Sequence, residues 1–321
     1  MTIDLNEITA RLIGGGRISR EEADALAAWP DLDALCEAAD RVTRALQPRE
    51  IDSCSIVNAR SGLCGEDCKW CAQSTHYSTG CDVYPGIDYG RVLEAARHNE
   101  REGIRRFSLV TSGRAARGKE LEGYCGQFRR LSEDTGLYLC ASMGLLGLEE
   151  MKMLKEAGVK RYHCNMETSD ACFRSLCSTH TPEDKRATIA AARQAGLEIC
   201  SGGIIGMGEG MKERIDFAFE LAEIDPDSVP INILCPIPGT PLEGTPLISE
   251  EDIIRTAAVF RFVLPRQSIR FAGGRMRLSE ASMARMLRGG VNGVLMGDML
   301  TTVSHQIADD RRLFAATGWD F

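Results

Sequence analysis

Three cysteines fall within eight residues in the stretch Cys64-Gly-Glu-Asp-Cys68-Lys-Trp-Cys71. Thiolates are soft donors, and three on one loop can hold three irons of a cubane while leaving the fourth iron open to a ligand. The competing chemistry is a structural zinc site, which closes on four ligands. Cys54, His76 and Cys81 are nearby, yet none stands at finger-like spacing from the trio. The chain holds 13 cysteines, an odd number that argues against a closed disulfide framework. Cys36, Cys54, Cys81, Cys125, Cys172 and Cys235, scattered along the chain, are expected to be small buried hydrophobes.

Other residues could recognise a ligand. In His163-Cys164-Asn165-Met166-Glu167, strand alternation places His163, Asn165 and Glu167 on one face, as a lining role requires. A helix-start carboxylate beside Thr168 and Ser169 is the plainer reading of Glu167. Gly202, Gly203, Gly206 and Gly208 resemble a dinucleotide loop only superficially, because no acidic residue ends a second strand at the expected distance. What such a run supplies is close approach of the backbone. Asn232, in Pro230-Ile-Asn-Ile-Leu234, offers both a donor and an acceptor, or is an amide satisfied within the core.

These residues need a scaffold, and the hydrophobic pattern describes one. Residues 1–47 carry helical spacing without strand signals and form an N-terminal helical extension. From residue 48 to 321, eight short apolar or β-branched runs alternate with amphipathic helical stretches. The runs lie near Ile51–Asn58, Arg106–Thr111, Leu137–Met143, Lys160–Met166, Leu197–Ile204, Ser228–Leu234, Ser268–Ala272 and Gly293–Met296. Tyr89–Glu102, Leu148–Ala157, Pro182–Ala195 and Ser249–Phe262 are among the helices between them, with Pro182 after Thr181 marking a helix start. Eight β–α units in this span fit one closed (β/α)8 TIM-type barrel better than an open, doubly wound sheet. The cysteine loop follows the first run, which is the C-terminal mouth where barrel active sites sit.

Composition narrows the partners. The net charge of −8 leaves no basic footprint for nucleic acid. No stretch approaches the roughly 18 apolar residues of a membrane span. The opening residues lack a basic segment followed by an apolar one, so a cytoplasmic location is expected.

The spacing C-x3-C-x2-C, with an aromatic before the last cysteine, resembles the signature of the radical S-adenosylmethionine (SAM) superfamily. Within it, Cys54–Asn58 through Cys71-Ala-Gln-Ser74, Tyr77–Gly80, Cys200–Glu209, Val229–Asn232, Gly239–Leu242 and Ala272–Arg275 are similar to biotin synthase, in order from about residue 50 to Thr302. This resemblance implies a catalytic 4Fe-4S cluster on Cys64, Cys68 and Cys71, with Trp70 beside the adenine of SAM. It places Asn165 and Glu167 on substrate and the SAM ribose, the backbone at Gly203 and Gly206 close to SAM, and Asn232 beside the ureido ring of dethiobiotin. It also implies a flavodoxin- or ferredoxin-type electron donor, a homodimer, and an auxiliary 2Fe-2S cluster on three cysteines and an arginine. Cys140, Cys200 and Arg275 match three of those four positions, but Ser108 stands at the last. A serine oxygen is a poor iron ligand beside a thiolate. The auxiliary cluster is therefore expected to be of a variant type, or completed by Cys164 or Cys177, although alternation turns Cys164 away from Asn165. Related maturases of hydrogenase cofactors and rearrangement enzymes share the loop and barrel, and are the alternative.

Overall fold

The computed structural model describes residues 3–297 and 307–321, so the part of the sequence likeness from 298 to Thr302 lies outside the described residues. Three helices open the chain: α1 (Leu5–Ile13), α2 (Arg20–Ala27) and α3 (Leu32–Leu46). Each starts where an oxygen-bearing side chain caps free N–H groups: Asp4, Ser19 in a reciprocal pair with Glu22, and Asp31. Their apolar stripes pack on one another and on the helix Glu250–Val263, outside the barrel.

Nine strand segments follow: β1 (Asp52–Arg60), β2 (Arg106–Thr111), β3 (Tyr138–Ser142), β4 (Arg161–His163), β5 (Glu198–Cys200), β6 (Gly203–Ile205), β7 (Ser228–Ile233), β8 (Ser268–Phe271) and β9 (Gly293–Leu295). All pair in parallel, β1 joins both β2 and β9, and both β5 and β6 pair with β7. The ring is the eight-strand parallel barrel that the alternating pattern predicts. β5 and β6 are the halves of one predicted run. The ladder breaks at Ser201-Gly202 opposite Pro230, which has no N–H to donate. A Cβ on Gly202 would lie 2.1 Å from the Pro230 carbonyl oxygen, so only glycine passes there.

The helices match expectation within a residue or two. Thr181 caps Pro182–Gln194 and accepts from the Asp184 N–H at 3.2 Å. β4 departs from it, because the run expected through Met166 ends at His163. Asn165 and Glu167 lie just beyond the strand, and Glu167 takes φ +75°.

Charged side chains seal the bottom of the barrel. The Asp52 carboxylate accepts from Arg106 Nε at 2.6 Å, Arg270 Nη2 at 2.6 Å and the Ser268 hydroxyl at 3.0 Å. Arg161 stands 3.8 Å from Asp52 and donates twice to Glu198, at 2.9 and 2.6 Å. Burial raises the Asp52 carboxyl, but the charges of Arg270, Arg106 and Arg161 outweigh it and hold the group well below the usual carboxylate range.

Candidate active site

The cysteine loop leaves β1 where its register against β2 shifts between Asn58 and Arg60. Backbone bonds then shape it: Cys64 N–H donates to Gln73 O at 3.0 Å, Thr75 N–H to Cys64 O at 2.8 Å, and Cys71 N–H to Cys68 O at 3.0 Å. The two carboxylates inside the motif anchor the loop. Asp67 accepts from the Ser178 and Thr179 N–H groups at 2.8 and 3.2 Å. Glu66 meets His180 Nδ1 at 2.5 Å and the Thr179 hydroxyl at 2.8 Å. The loop is thus tied to the segment after β4 before any cofactor is considered.

Cys64, Cys68 and Cys71 all line one cavity of about 370 Å³ at the barrel mouth. Burial pushes the Cys71 thiol up to about 11. The Sγ atoms of Cys68 and Cys177 lie 3.7 Å apart, and that contact raises Cys68 while pulling Cys177 down to about 4. Three soft donors converging on one enclosed space fit an iron–sulfur cluster with one open iron.

Beside them, a second lobe of about 260 Å³ is lined by Trp70, Asn165, Glu167, Ile204, Asn232 and Gly273, among others. Trp70 rests edge-on against Phe173, with ring centroids 6.1 Å apart. The Glu167 carboxyl is raised by burial, with Lys185 and His180 countering. Lys185 donates to the Asn165 carbonyl at 2.8 Å, and Asn165 Oδ1 accepts from Gly202 N–H at 3.2 Å. A buried carboxyl, two amides and an aromatic face suit a ligand with hydroxyl and amino groups, as SAM has.

Two assignments shift in meaning. Asn232 donates to Gly203 O at 3.0 Å and accepts from Gly273 N–H at 2.9 Å, so its amide ties together three strand ends. One N–H and one lone pair remain for a ligand. Gly203 and Gly206 do not line either lobe, whereas Ile204 between them does. A Cβ on Gly203 would lie 2.2 Å from the Glu167 carbonyl oxygen, so the close approach there is to the chain itself.

The deeper cysteines sort differently from expectation. Cys140 and Cys200 are fully buried near the barrel floor, where Arg161 and Arg106 act on the first and Arg270 and Arg161 on the second. Arg275 is not with them. It lies in a short helical turn and forms a two-pronged buried ion pair with Asp310, at 2.5 and 2.6 Å. Arg270, on β8 with Ser268 and Ala272 on the same face, points into the cavity instead. The Cys164 thiol lies 3.9 Å from the Lys185 carbonyl, although the residue also lines the cavity, and Cys177 sits at the mouth beside Cys68. Cys54, which the sequence presents only as a scattered cysteine without metal-ligand spacing, also lines the cavity. His163 also faces the cavity, with Nε2 unpartnered.

The position of Arg275 carries a prediction. Arg275→Met strands a buried carboxylate on Asp310, so the melting point should fall by the equivalent of about 3 kcal/mol. Iron and sulfide bound per chain should not change. Loss of iron without loss of stability would restore Arg275 to the cluster.

The fold and the thiol-bearing mouth define a radical SAM barrel, and the Radical SAM superfamily family model matches residues 60–221. A crystal structure of methylornithine synthase superposes with a TM-score of 0.83 at 19% identity, covering 96% of each chain. A crystal structure of a maturase of the FeFe-hydrogenase gives 0.81 at 15%, covering 98% of this chain and 74% of that one. At such identities the likeness is one of fold. The Biotin and Thiamin Synthesis associated domain matches residues 230–320. Biotin synthase from Porphyromonas gingivalis is 50% identical over 98% of this chain and 96% of its own length. The enzymes of Parabacteroides distasonis and Clostridium botulinum are 46% and 44% identical, over 99% and 97% of this chain and 97% of their own lengths. The chain belongs to the biotin synthase family. Among the described residues, no helix is long and apolar enough to cross a membrane.

Proposed function

We infer that this barrel converts dethiobiotin to biotin by inserting sulfur between two unactivated carbons. The observation that carries the reading is a walled cavity lined by the three cluster-loop thiols and by Cys54 and Cys200 from the barrel strands. When bound, the 4Fe-4S cluster supplies the electron that cleaves SAM to a 5′-deoxyadenosyl radical, and the auxiliary cluster supplies sulfur. The chain's own residues orient and enclose. Cys64, Cys68 and Cys71 hold the first cluster, Glu167 and Asn165 accept from and donate to SAM, and Trp70 covers its adenine. The free N–H and lone pair of Asn232 face the ureido ring. Glu66 and Asp67 keep the loop docked on Ser178–His180, which excludes water from the hydrogen-abstraction site. The same reading takes electrons from a flavodoxin- or ferredoxin-type donor and pairs two copies of the chain, on the family likeness alone.

Anaerobic reconstitution with iron and sulfide, then incubation with SAM, reductant and dethiobiotin, tests this by mass spectrometry. Biotin and 5′-deoxyadenosine should form together. Deoxyadenosine without biotin would move the chain to the maturase or rearrangement class.

A further inference from the structure

Six of the cysteines are fully or almost fully buried away from the cluster loop and its neighbour Cys177, and the structure divides them in two. Cys36, Cys125 and Cys164 belong to the continuous apolar core. Cys54, Cys140 and Cys200 do not, although each is at most 1% exposed. Cys54 and Cys200 line the cavity from β1 and β5, and Cys140 on β3 stands in register with Ser108 and Arg161. Each is close enough to another that its charge raises that neighbour's pKa: Cys200 acts on Cys54, and Cys54 and Cys200 both act on Cys140. The same thiols face guanidinium groups, from Arg270 and Arg161 at Cys54 and Cys200 and from Arg161 and Arg106 at Cys140. Three soft donors grouped beside guanidinium groups inside one ring of strands suit an iron–sulfur cluster.

Ser108 stands on β2, between β1 and β3, in register with Ile56 and Cys140. Its hydroxyl is buried without a partner. Cys54 is on the adjoining strand, its thiol in only a weak contact with the Ser55 carbonyl at 3.6 Å, and it lines the cavity with Cys200 and Arg270. A hydroxyl is a hard, high-pKa group, whereas a thiolate is the donor iron–sulfur clusters take.

We propose that Cys54 supplies the third thiolate of the second cluster, with Cys140 and Cys200, and that Ser108 is not a ligand. This rests on the reading that the barrel carries a sulfur-supplying cluster. Each thiol gives up its proton on binding iron, and the neighbouring guanidinium groups stabilise the charge that remains.

The test uses the full chain with Cys64, Cys68 and Cys71 all changed to Ala, which leaves only the second site to bind a cluster. After anaerobic reconstitution, iron and sulfide are counted and Mössbauer spectra recorded. With Cys54 intact, cluster iron should be present. Adding Cys54→Ala or the near-isosteric Cys54→Ser should lower it by at least about tenfold. Adding Ser108→Ala should leave iron content and spectrum as in the parent. Unchanged melting curves of the metal-free proteins show that the loss is not unfolding, and the serine variant serves if the alanine variant misfolds. A parent spectrum surviving in both Cys54 variants, or lost in Ser108→Ala, overturns the assignment. No cluster iron in the parent itself would instead overturn the sulfur-supplying cluster, and with it this ligand set.

Discussion

Cys68→Ala should reduce reductive cleavage of SAM to below about 1% of the wild-type rate, since changes to residues that only hydrogen-bond a metal's ligands already cost about 10–100-fold. Cys68 is the middle thiol of a trio on one short loop, and three thiolates are the minimum set for a cubane with one open iron. Among the three, Cys68 lies nearest a fourth thiol, the Sγ of Cys177 at 3.7 Å, with His180 Nδ1 a further 3.3 Å beyond. Replacement by alanine therefore leaves Cys177 and His180 as candidate substitute ligands, and the Cys68→Ala/Cys177→Ala double variant removes the thiol among them. The measurement is 5′-deoxyadenosine formed per chain by anaerobic protein with SAM and a strong reductant. The folded structure should tolerate the change, because Cys68 is partly exposed and the loop is anchored through Glu66, Asp67 and backbone bonds. Normal deoxyadenosine formation by the double variant would remove the cluster from this loop.

The largest effect on stability is expected at Asp52, far from the mouth. Its carboxylate is the shared acceptor of Arg106 and Arg270, and Arg161 stands close by. Asp52→Asn keeps the shape and removes the charge, leaving three guanidinium groups in the barrel floor with only Glu198 to offset them. Breaking a buried charge cluster in this way costs about 3–5 kcal/mol, which lowers the melting temperature by on the order of 10 °C. The pH dependence follows from the depressed carboxyl. A group held below its unfolded pKa contributes its full stability above that pKa and loses it as the pH falls toward the folded value. The advantage of the native chain over Asp52→Asn should thus be constant down to about pH 4 and shrink only below it. Thermal melts of the metal-free proteins between pH 8 and pH 3 measure this. A difference that shrinks already between pH 7 and pH 5 would mean that another group carries it.

Much of this protein is determined by short-range sequence. Three thiols within eight residues lie on one short loop, so a single turn of backbone is enough to bring them to one cavity. The eight short runs name the staves of the barrel, since each carries apolar residues on the face packed against the helices and is bounded by helical periodicity.

Other features depend on residues far apart in the chain. Arg270 and Arg275 are five residues apart in one segment, and the sequence does not say which one faces the cavity. The face of β8 gives that place to Arg270, while Asp310, in the C-terminal helix, neutralises Arg275. Asn232 looks like a ligand-reading amide, yet half its capacity goes to Gly203 and Gly273, on the strand ends either side. Cys54 gives the plainest case. By itself it is a lone cysteine between two serines. Closing the ring brings it near Cys140 and Cys200, 86 and 146 residues away in the sequence, among Arg106, Arg161 and Arg270. Local spacing fixes what one loop can hold, but only the closure of the barrel decides which inward side chains share a layer.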